Sequence, residues 1–496
     1  MKIIILGAGR VGYSVAESLV SERNDITVID TDAARLHELE ARFDLRGVVG
    51  SGINVQVLAE AGAADTDLLI ACAAQDETNL VCCKMAHMVF GIPTRIARVR
   101  SSGLDTEQSL MGPGGFAVDA VICPEASLTR YIAKLIDYPE SLQVREFAGG
   151  LACLASVRAR YGAQAVGIRI GDLREQNPEL GLRIAAIYRR FADEPDRFVL
   201  CGGNTRIEPG DEVFVLAARE QLKDVLGAFQ HAPGQPPRVV RRIMIAGGTS
   251  VGRRLAQELA VQTGKFRIKL LEGDIHRCEM LASVLPADVL VLHSSATDED
   301  LLVEENIDRV DLFLALTDDD ENNIMSCLLA KRLGARRVLA LINRRSYADL
   351  MHGTQIDIAL SPAQAMLGEL LAHVRKGDVQ AVHSLRRGVA EALEIVARGD
   401  KKHSRVVGRK VGDLRLPAEV HMGLIVRGLS DESAEVHDKA AQDAVPLAVS
   451  VQAPPEVIIP NSDTIIERND HVVFFLPHKR LVPAVERLFR VSAMFF

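Results

Sequence analysis

Tryptophan is absent, and Phe, Tyr and Trp together make up only 4% of the 496 residues. A chain this poor in aromatic rings lacks the stacking platforms that single-stranded nucleic acids need. Basic charge is not in surplus either: 58 Lys and Arg stand against 66 Asp and Glu, a net charge of -8. Nucleic-acid phosphates are held by a basic excess or a basic stripe, and the sequence reads as having neither, so no nucleic-acid partner is expected. No run approaches the roughly 18 apolar residues that read as a transmembrane helix. The opening Met1-Lys2-Ile3-Ile4-Ile5-Leu6 is briefly apolar, but Gly7, Gly9, Arg10 and Glu17 follow at once. A strand is expected there rather than a secretory signal. The eight cysteines (Cys72, Cys82, Cys83, Cys123, Cys153, Cys201, Cys278, Cys327) are scattered and form no CxxC pair. That suits reduced cytosolic thiols better than disulfides or a metal cluster. No GxxxxGK[ST] loop and no nucleophile elbow are present.

What is there is ordinary globular composition, 48% apolar and 25% charged, in a length that allows about three to five domains. The dominant feature is an internal repeat. Ile3-Ile4-Ile5-Leu6-Gly7-Ala8-Gly9-Arg10-Val11-Gly12 returns as Ile243-Met244-Ile245-Ala246-Gly247-Gly248-Thr249-Ser250-Val251-Gly252. Val28-Ile29-Asp30 matches Leu270-Leu271-Glu272, Asp76-Glu77-Thr78-Asn79 matches Asp320-Glu321-Asn322-Asn323, and Ile122-Cys123-Pro124 matches Leu360-Ser361-Pro362. Further on, Gly171-Asp172-Leu173 aligns with Gly412-Asp413-Leu414, and Glu208 to Phe214 with Glu467 to Val473. The order is therefore A-B-A′-B′. The expected bounds are 1–138 for A, 139–229 for B, 239–373 for A′ and 374–496 for B′. The Pro-rich stretch 230–238 joins the halves as a semi-rigid linker. B′ carries extra acidic and Pro-bearing residues near 430–455, read as a surface insertion.

Within A, β-branched runs at Ile3–Leu6, Ile26–Ile29, Val48-Val49, Leu68–Cys72, Ile96–Val99 and Ala120–Ile122 alternate with amphipathic stretches such as Val15–Ser21 and Asn79–Val89. Strands alternating with helices make βαβ units and a parallel sheet. The expected fold class is α/β: two Rossmann-like, doubly wound parallel-sheet domains, each followed by a small α+β module.

Gly7-x-Gly9-x-x-Gly12 follows a strand and opens a helix, and Asp30 ends the next strand about 20 residues on, which together make a dinucleotide-binding pattern. The helix N-terminus offers free N–H groups and partial positive charge to phosphate. Asp30 would accept hydrogen bonds from a ribose diol and repel a 2′-phosphate. The bland alternative is that the glycines serve only a tight turn. Ser51-Gly52 after strand three and Ala73-Ala74 after strand four fall where open α/β sheets hold ligands. Arg98, near the end of strand five, reads equally as a contact to a phosphate or a partner chain and as a solvated surface residue. In the second copy Thr249 replaces the middle glycine, Ser250 stands for Arg10, and the acid is Glu272. That site binds nucleotide differently or more weakly, or is a structural relic. Thr317-Asp318 correspond to Ala73-Ala74, and Thr317 with the acids after it also reads as a helix cap. Asn343 is taken as the counterpart of Arg98.

No His, Lys, Tyr or Cys recurs beside the two glycine loops, whereas hydride transfer needs an acid or base at the reacting carbon. Two strand–GxGxxG–helix domains, each trailed by a Gly-Asp-Leu module, resemble tandem RCK (regulator of potassium conductance) domains, and the resemblance covers essentially the whole chain. It implies the peripheral regulatory subunit of a bacterial Trk-type potassium uptake system, not an enzyme. It further implies NAD(H) and ATP/ADP as ligands and a homo-oligomeric, tetrameric ring. The ring would dock on a membrane-embedded potassium channel subunit at the cytoplasmic face of the inner membrane. By position it assigns Gly7, Ala8, Gly9, Arg10, Val11, Asp30, Ala73, Ala74 and Arg98 to the first site. The second takes Gly247, Gly248, Thr249, Ser250, Val251, Glu272, Thr317, Asp318 and Asn343. The competing reading is an NAD-dependent oxidoreductase with duplicated cofactor domains.

Overall fold

The computed structural model describes residues 1–491 apart from 21–23, 102–107, 178–179, 192–195, 200, 345–346, 348–354, 375–377, 386–388, 418 and 430–453. Most of the expected insertion near 430–455 therefore lies outside the described residues.

In A, β1 (Lys2–Leu6), β2 (Asp25–Asp30), β3 (Arg46–Val49), β4 (Leu68–Ala71), β5 (Thr94–Arg98) and β6 (Ala120–Ile122) form a parallel sheet in the order β3-β2-β1-β4-β5-β6. This is a doubly wound order, with its reversal between β1 and β4. The central strands are buried along their length, as in Leu68-Leu69-Ile70-Ala71. Helices on both faces explain why these strands read as continuous apolar runs. All six expected strands are present. The helix expected from Asn79 begins at Asp76, runs to Met85 and continues as a π-helical turn over Ala86–Phe90. Cys82 and Cys83 are buried in the core it covers, and burial pushes the Cys82 thiol up to about 12.

B is a five-stranded antiparallel sheet of β7 (Ser141–Phe147), β8 (Ala152–Arg158), β9 (Leu182–Arg189), β10 (Arg197–Val199) and β11 (Glu212–Ala218), in the order β10-β9-β11-β8-β7. A′ repeats A with β12 (Arg242–Ala246), β13 (Arg267–Glu272), β14 (Val289–His293), β15 (Leu312–Ala315), β16 (Val338–Leu341) and β17 (Ile358–Leu360). Its order, β14-β13-β12-β15-β16-β17, is that of A. B′ repeats B with β18 (Val379–Leu385), β19 (Ala390–Val396), β20 (His421–Arg427), β21 (Glu456–Ile458) and β22 (His471–Leu476), in the order β18-β19-β22-β20-β21.

The modules do not group in chain order. One compact unit comprises Met1–Asp137 with Val240–Leu370; the other comprises Tyr138–Val239 with Leu371–Phe496. In the first, helix Pro124–Asp137 of A packs against helix Ser250–Ala260 of A′. Glu369 of A′ accepts from Ser127 Oγ at 2.9 Å and from Arg130 Nη2 at 2.7 Å. In the second unit, B and B′ share one core. Phe147, Leu154, Phe214 and Leu216 meet Leu385, Leu424, Val473 and Phe475, and the Phe198 and Phe475 rings stack edge-on with centroids 5.7 Å apart. A sheet of this size exposes one apolar face by itself; its duplicate covers it.

The repeat also fixes polar anchors. Asp211, 2% exposed, accepts from Arg189 Nε and Nη2 at 2.8 Å each and from Glu208 N at 2.8 Å. Asp470 repeats the arrangement with Arg427 Nε at 2.9 Å, Arg427 Nη2 at 2.8 Å and Glu467 N at 2.8 Å. This is the Glu-x-x-Asp element that marks both copies in the sequence.

Candidate functional site

After β1 the chain turns at Gly7, whose φ is +102° and whose N–H donates to Ile29 O at 2.7 Å. A Cβ on Gly7 would lie 2.9 Å from Ala73 N, and one on Gly12 would lie 1.8 Å from Gly7 O. The chain itself requires these two glycines. Gly9 is different: it has no positive φ, and an added Cβ meets no atom within 4 Å. Nothing inside the protein requires it to lack a side chain. Its bareness leaves the N-terminus of helix Arg10–Val20 uncovered, where Arg10, Val11 and Gly12 carry the first N–H groups without intrahelical acceptors. A pyrophosphate fits such a cradle.

Asp30 closes one side. Its Oδ2 accepts from Ala8 N at 2.5 Å and its Oδ1 from Asp32 N at 2.8 Å. Each oxygen keeps a lone pair for a further donor. Gly50 N donates to Asp30 O at 2.9 Å, which sets Ser51-Gly52 beside the acid. Gly52 packs on the core, since a Cβ there would meet Leu6 Cδ1 at 2.5 Å.

The other side is held by a residue that motif reading passed over. Asn79 is fully buried; its Oδ1 accepts from Ala73 N at 2.8 Å, and its Nδ2 donates to Ala73 O at 3.2 Å and Arg98 O at 2.9 Å. It ties the ends of β4 and β5 together. Its signal was the repeated Asp-x-x-Asn of Asp76–Asn79 and Asp320–Asn323. Asp76 Oδ2 accepts from Arg100 N at 2.9 Å, Ser101 N at 2.9 Å and Ser101 Oγ at 2.7 Å. Burial pushes the Asp76 carboxyl up, but the Ser101 and Arg100 hydrogen bonds outweigh it and hold the group below its ordinary value. Arg100 Nη2 donates to Ala74 O.

Arg98 is no solvated surface residue: its side chain is only 15% exposed and pairs with Glu125 at 3.1 Å. Its Nε is buried without a hydrogen-bond partner among the described residues. Cys72, behind the loop, is pushed up to about 12 by burial, so it is no thiolate nucleophile at neutral pH. The glycine loop, Asp30, Ser51-Gly52, Ala73-Ala74 and Arg98 thus share the carboxyl edge of one sheet.

The second copy keeps the turn and changes the cradle. Gly247 has φ +108°, and a Cβ on Gly252 would lie 2.0 Å from Gly247 O. Thr249 occupies the place left bare at Gly9. Its Oγ donates to Leu316 O at 2.8 Å and accepts from Gly252 N at 3.4 Å, capping the helix that Ser250 and Val251 open. One N–H that is free for a ligand in the first copy is satisfied internally here. Glu272 is buried; its Oε2 accepts from Gly248 N at 2.8 Å and its Oε1 from Asp274 N at 3.0 Å.

Two sequence-based readings need correction here. The cap of helix Asp320–Arg332 is Asp319, which accepts from Asn322 N at 2.9 Å. Thr317 instead donates its hydroxyl to the Asn323 side chain, at Oδ1, at 2.7 Å and accepts from Asp319 N at 3.3 Å, one residue ahead of the helix, so it caps none of the helix's own N–H groups. Asp318 is exposed. Asn343 is not the counterpart of Arg98. Asn323 Nδ2 donates to Leu341 O at 2.8 Å as Asn79 does to Arg98 O, and Asn343 N donates to Asp320 at 2.8 Å as Arg100 N does to Asp76. Leu341 therefore stands for Arg98 and Asn343 for Arg100. The second copy has no arginine at the Arg98 position.

Comparison with known proteins supplies the lineage. The TrkA-N domain model matches residues 3–124 and 243–362, and the TrkA-C domain model matches 154–230. The Trk system potassium uptake protein TrkA of Halomonas elongata is 46% identical over 496 residues, covering 100% of both chains. The chain belongs to the TrkA family. A second TrkA, from Vibrio alginolyticus, is 44% identical over the whole of both chains. The TrkA homolog of Archaeoglobus fulgidus is 31% identical over 99% of this chain and 100% of its own. Among solved structures, the GsuK RCK domain superposes with a TM-score of 0.56 at 17% identity, covering 98% of this chain and 94% of that one. The GsuK channel bound to NAD superposes with a TM-score of 0.56 at 16% identity, covering 98% and 78%. This chain thus has the fold of the GsuK RCK domain. Among the described residues no helix is long and apolar enough to cross a membrane.

Proposed function

We propose that this chain is the nucleotide-sensing regulatory subunit of a Trk-type potassium uptake system. It would act as a homo-oligomeric, tetrameric ring, peripherally attached at the cytoplasmic face of the membrane to a membrane-embedded potassium channel subunit. The observation that carries the reading is Gly9, a glycine that neither packing nor backbone conformation requires. It sits over a helix N-terminus beside an acid already oriented by Ala8 and Asp32. The relatives' name, Trk system potassium uptake protein, supports the transport half of the proposal.

The first site takes NAD(H) or an adenine nucleotide such as ATP or ADP. Helix Arg10–Val20 and the bare Gly9 backbone hold the phosphates, Asp30 accepts from the ribose hydroxyls and excludes a 2′-phosphate, and Arg98 faces the far end. The second site, with Thr249 over its loop and Leu341 in place of an arginine, holds phosphate less well and differs in ligand preference. Different affinities of the nucleotides for two ring shapes would shift their populations. The coupling to the partner is then reciprocal.

The test measures potassium flux through the partner, reconstituted with and without this protein, while NAD, NADH, ADP and ATP are varied. Flux that changes only when both protein and nucleotide are present supports the proposal. Flux that ignores both would overturn it. Consumption of NADH with a small substrate in the absence of the partner would favour the oxidoreductase reading instead.

A further inference from the structure

The whole-chain charge of -8 hides a local concentration of the opposite sign. After β19 one loop exposes Lys401, Lys402, Arg405, Arg409, Lys410 and Arg415, with only Asp400 and Asp413 among them. The loop is tightly built. Asp400 Oδ1 accepts from Lys402 N and His403 N at 2.9 Å each and from His403 Nδ1 at 2.8 Å. Ser404 Oγ accepts from Val406 N at 3.3 Å and Val407 N at 3.2 Å, and all three residues are buried. Gly408 N donates to Ile466 O at 2.7 Å and Gly412 N to Ser462 O at 2.9 Å. The interior is thus apolar and backbone-bonded, and the cations point outward. Lys410 pairs with Asp463 at 2.8 Å. Among the described residues no carboxylate lies within ion-pairing distance of Lys401, Lys402, Arg405, Arg409 or Arg415.

The fold does not require these charges, because the first copy builds the same loop without most of them. Gly167 N donates to Ile207 O at 2.8 Å as Gly408 does to Ile466 O. Ile207 N donates to Ile168 O as Ile466 N does to Arg409 O, both at 3.1 Å. Ile168 therefore stands where Arg409 stands, and Gln164 where Arg405 stands. The turn that brings Lys401 and Lys402, between Ala397 and Ser404, is longer than its counterpart between Ala159 and Ala163. The first copy keeps Arg169 and Arg174 opposite Lys410 and Arg415, so the charges particular to the second copy are Lys401, Lys402, Arg405 and Arg409.

We propose that the Lys401–Arg415 loop is a membrane-contact surface that takes the phosphate headgroups of anionic phospholipids. The six cations lie on an outward loop of short turns; among the described residues all but Lys410 lack a carboxylate partner, and half of the six are lysines. A fluid layer of phosphates satisfies such a spread better than a shaped anion, which a planar arginine fork would grip. Clusters of four to eight Lys and Arg at a cytoplasmic surface are the usual electrostatic reader of such lipids. The remaining surface carries the negative surplus and is repelled from an anionic layer, so the loop also sets which face approaches. This contact stands apart from nucleotide binding and from control of flux.

The test uses the purified full chain in co-sedimentation with vesicles of phosphatidylcholine alone and of phosphatidylcholine mixed with phosphatidylglycerol. Expected are binding to the mixed vesicles only, binding that weakens as salt rises, and a loss of about tenfold or more in the triple variant K402E/R405E/R409E. The neutral triple variant K402Q/R405Q/R409Q should lose less, and Arg160→Glu in the first copy should lose little. All three variants must melt as the parent does. Equal binding of the parent to both vesicle types, or a triple variant that binds like the parent, overturns the proposal. So does a triple variant that keeps its vesicle binding but no longer co-purifies with the detergent-solubilised membrane partner, since the loop would then be a protein-docking face.

Discussion

The hydroxyl of Thr249 donates to the carbonyl of Leu316 at 2.8 Å, across the gap between the second glycine loop and the end of β15. The same oxygen caps Gly252 N. At the matching place in the first copy, Gly9 offers neither a hydroxyl nor a methyl group. Two loops of one ancestry thus differ in whether the chain supplies its own partner for the helix N-terminus or leaves that role to a ligand.

Gly9→Ala separates the two uses of glycine. The new methyl meets nothing within 4 Å, so the melting temperature without ligand should stay close to that of the parent. In the parent, NAD at about 100 times its dissociation constant should add roughly 2.7 kcal/mol. The variant should lose most of that gain in a thermal-shift assay. An undiminished NAD shift would mean that Gly9 does not face the ligand.

Gly7→Ala is the opposite case. The position needs φ +102°, and the added carbon would sit 2.9 Å from Ala73 N. Left-handed backbone alone costs about 1–2 kcal/mol for an L-residue, and the clash adds to it. The expected result is a clear fall in melting temperature with or without nucleotide. A variant as stable as the parent would show that the turn can open without cost.

Asp30→Asn keeps the shape of the side chain and removes its charge. A hydrogen bond to a charged group is worth about 1.5–3 kcal/mol, so NAD affinity should fall by roughly ten- to hundredfold by calorimetric titration. Discrimination against NADP should shrink at the same time, because the repulsion of a 2′-phosphate is gone. Equal loss for both dinucleotides would argue that Asp30 only braces Ala8 and Asp32.

Asp76 gives a pH signature. Its hydrogen bonds from Ser101 and Arg100 outweigh burial and hold the folded carboxyl below the ordinary 3.8. A depressed folded value means stability that is fully present above the unfolded value and lost as pH falls through the folded one. The stability difference between the parent and Asp76→Asn should therefore be constant near neutrality. It should shrink below about pH 4. Urea titrations at a series of pH values measure it, and a difference independent of pH down to strong acid would refute the assignment.

Much of the fold was legible because its signals are local. β-branched runs marked all six strands of A, and Gly7, Gly12 and Asp30 stand where a strand–turn–helix unit needs them. What escaped depends on pairing at a distance. Nothing in the alternation of Phe147 or Phe214 says that Leu385 and Phe475 of the other half will cover them. Asn343 was misaligned because the end of a strand is a poor ruler; the ladder and the Asn79 and Asn323 bridges show that it matches Arg100. Asp319 displaced Thr317 as a cap because four adjacent polar residues could each begin the helix, and only the backbone decides. The basic loop after β19 vanished in a whole-chain sum dominated by acids elsewhere.

The grouping of A with A′ and of B with B′ bears on how the molecule is made. Neither compact unit is a continuous stretch of polypeptide. As the chain leaves the ribosome, Phe147, Phe214 and Leu216 emerge long before Leu385, Leu424 and Phe475, the residues that will shield them. The first half must therefore hold an uncovered apolar sheet through much of translation. A nascent chain in that condition is a natural client for a chaperone, and a message truncated at the linker would yield a product with an open, adhesive face.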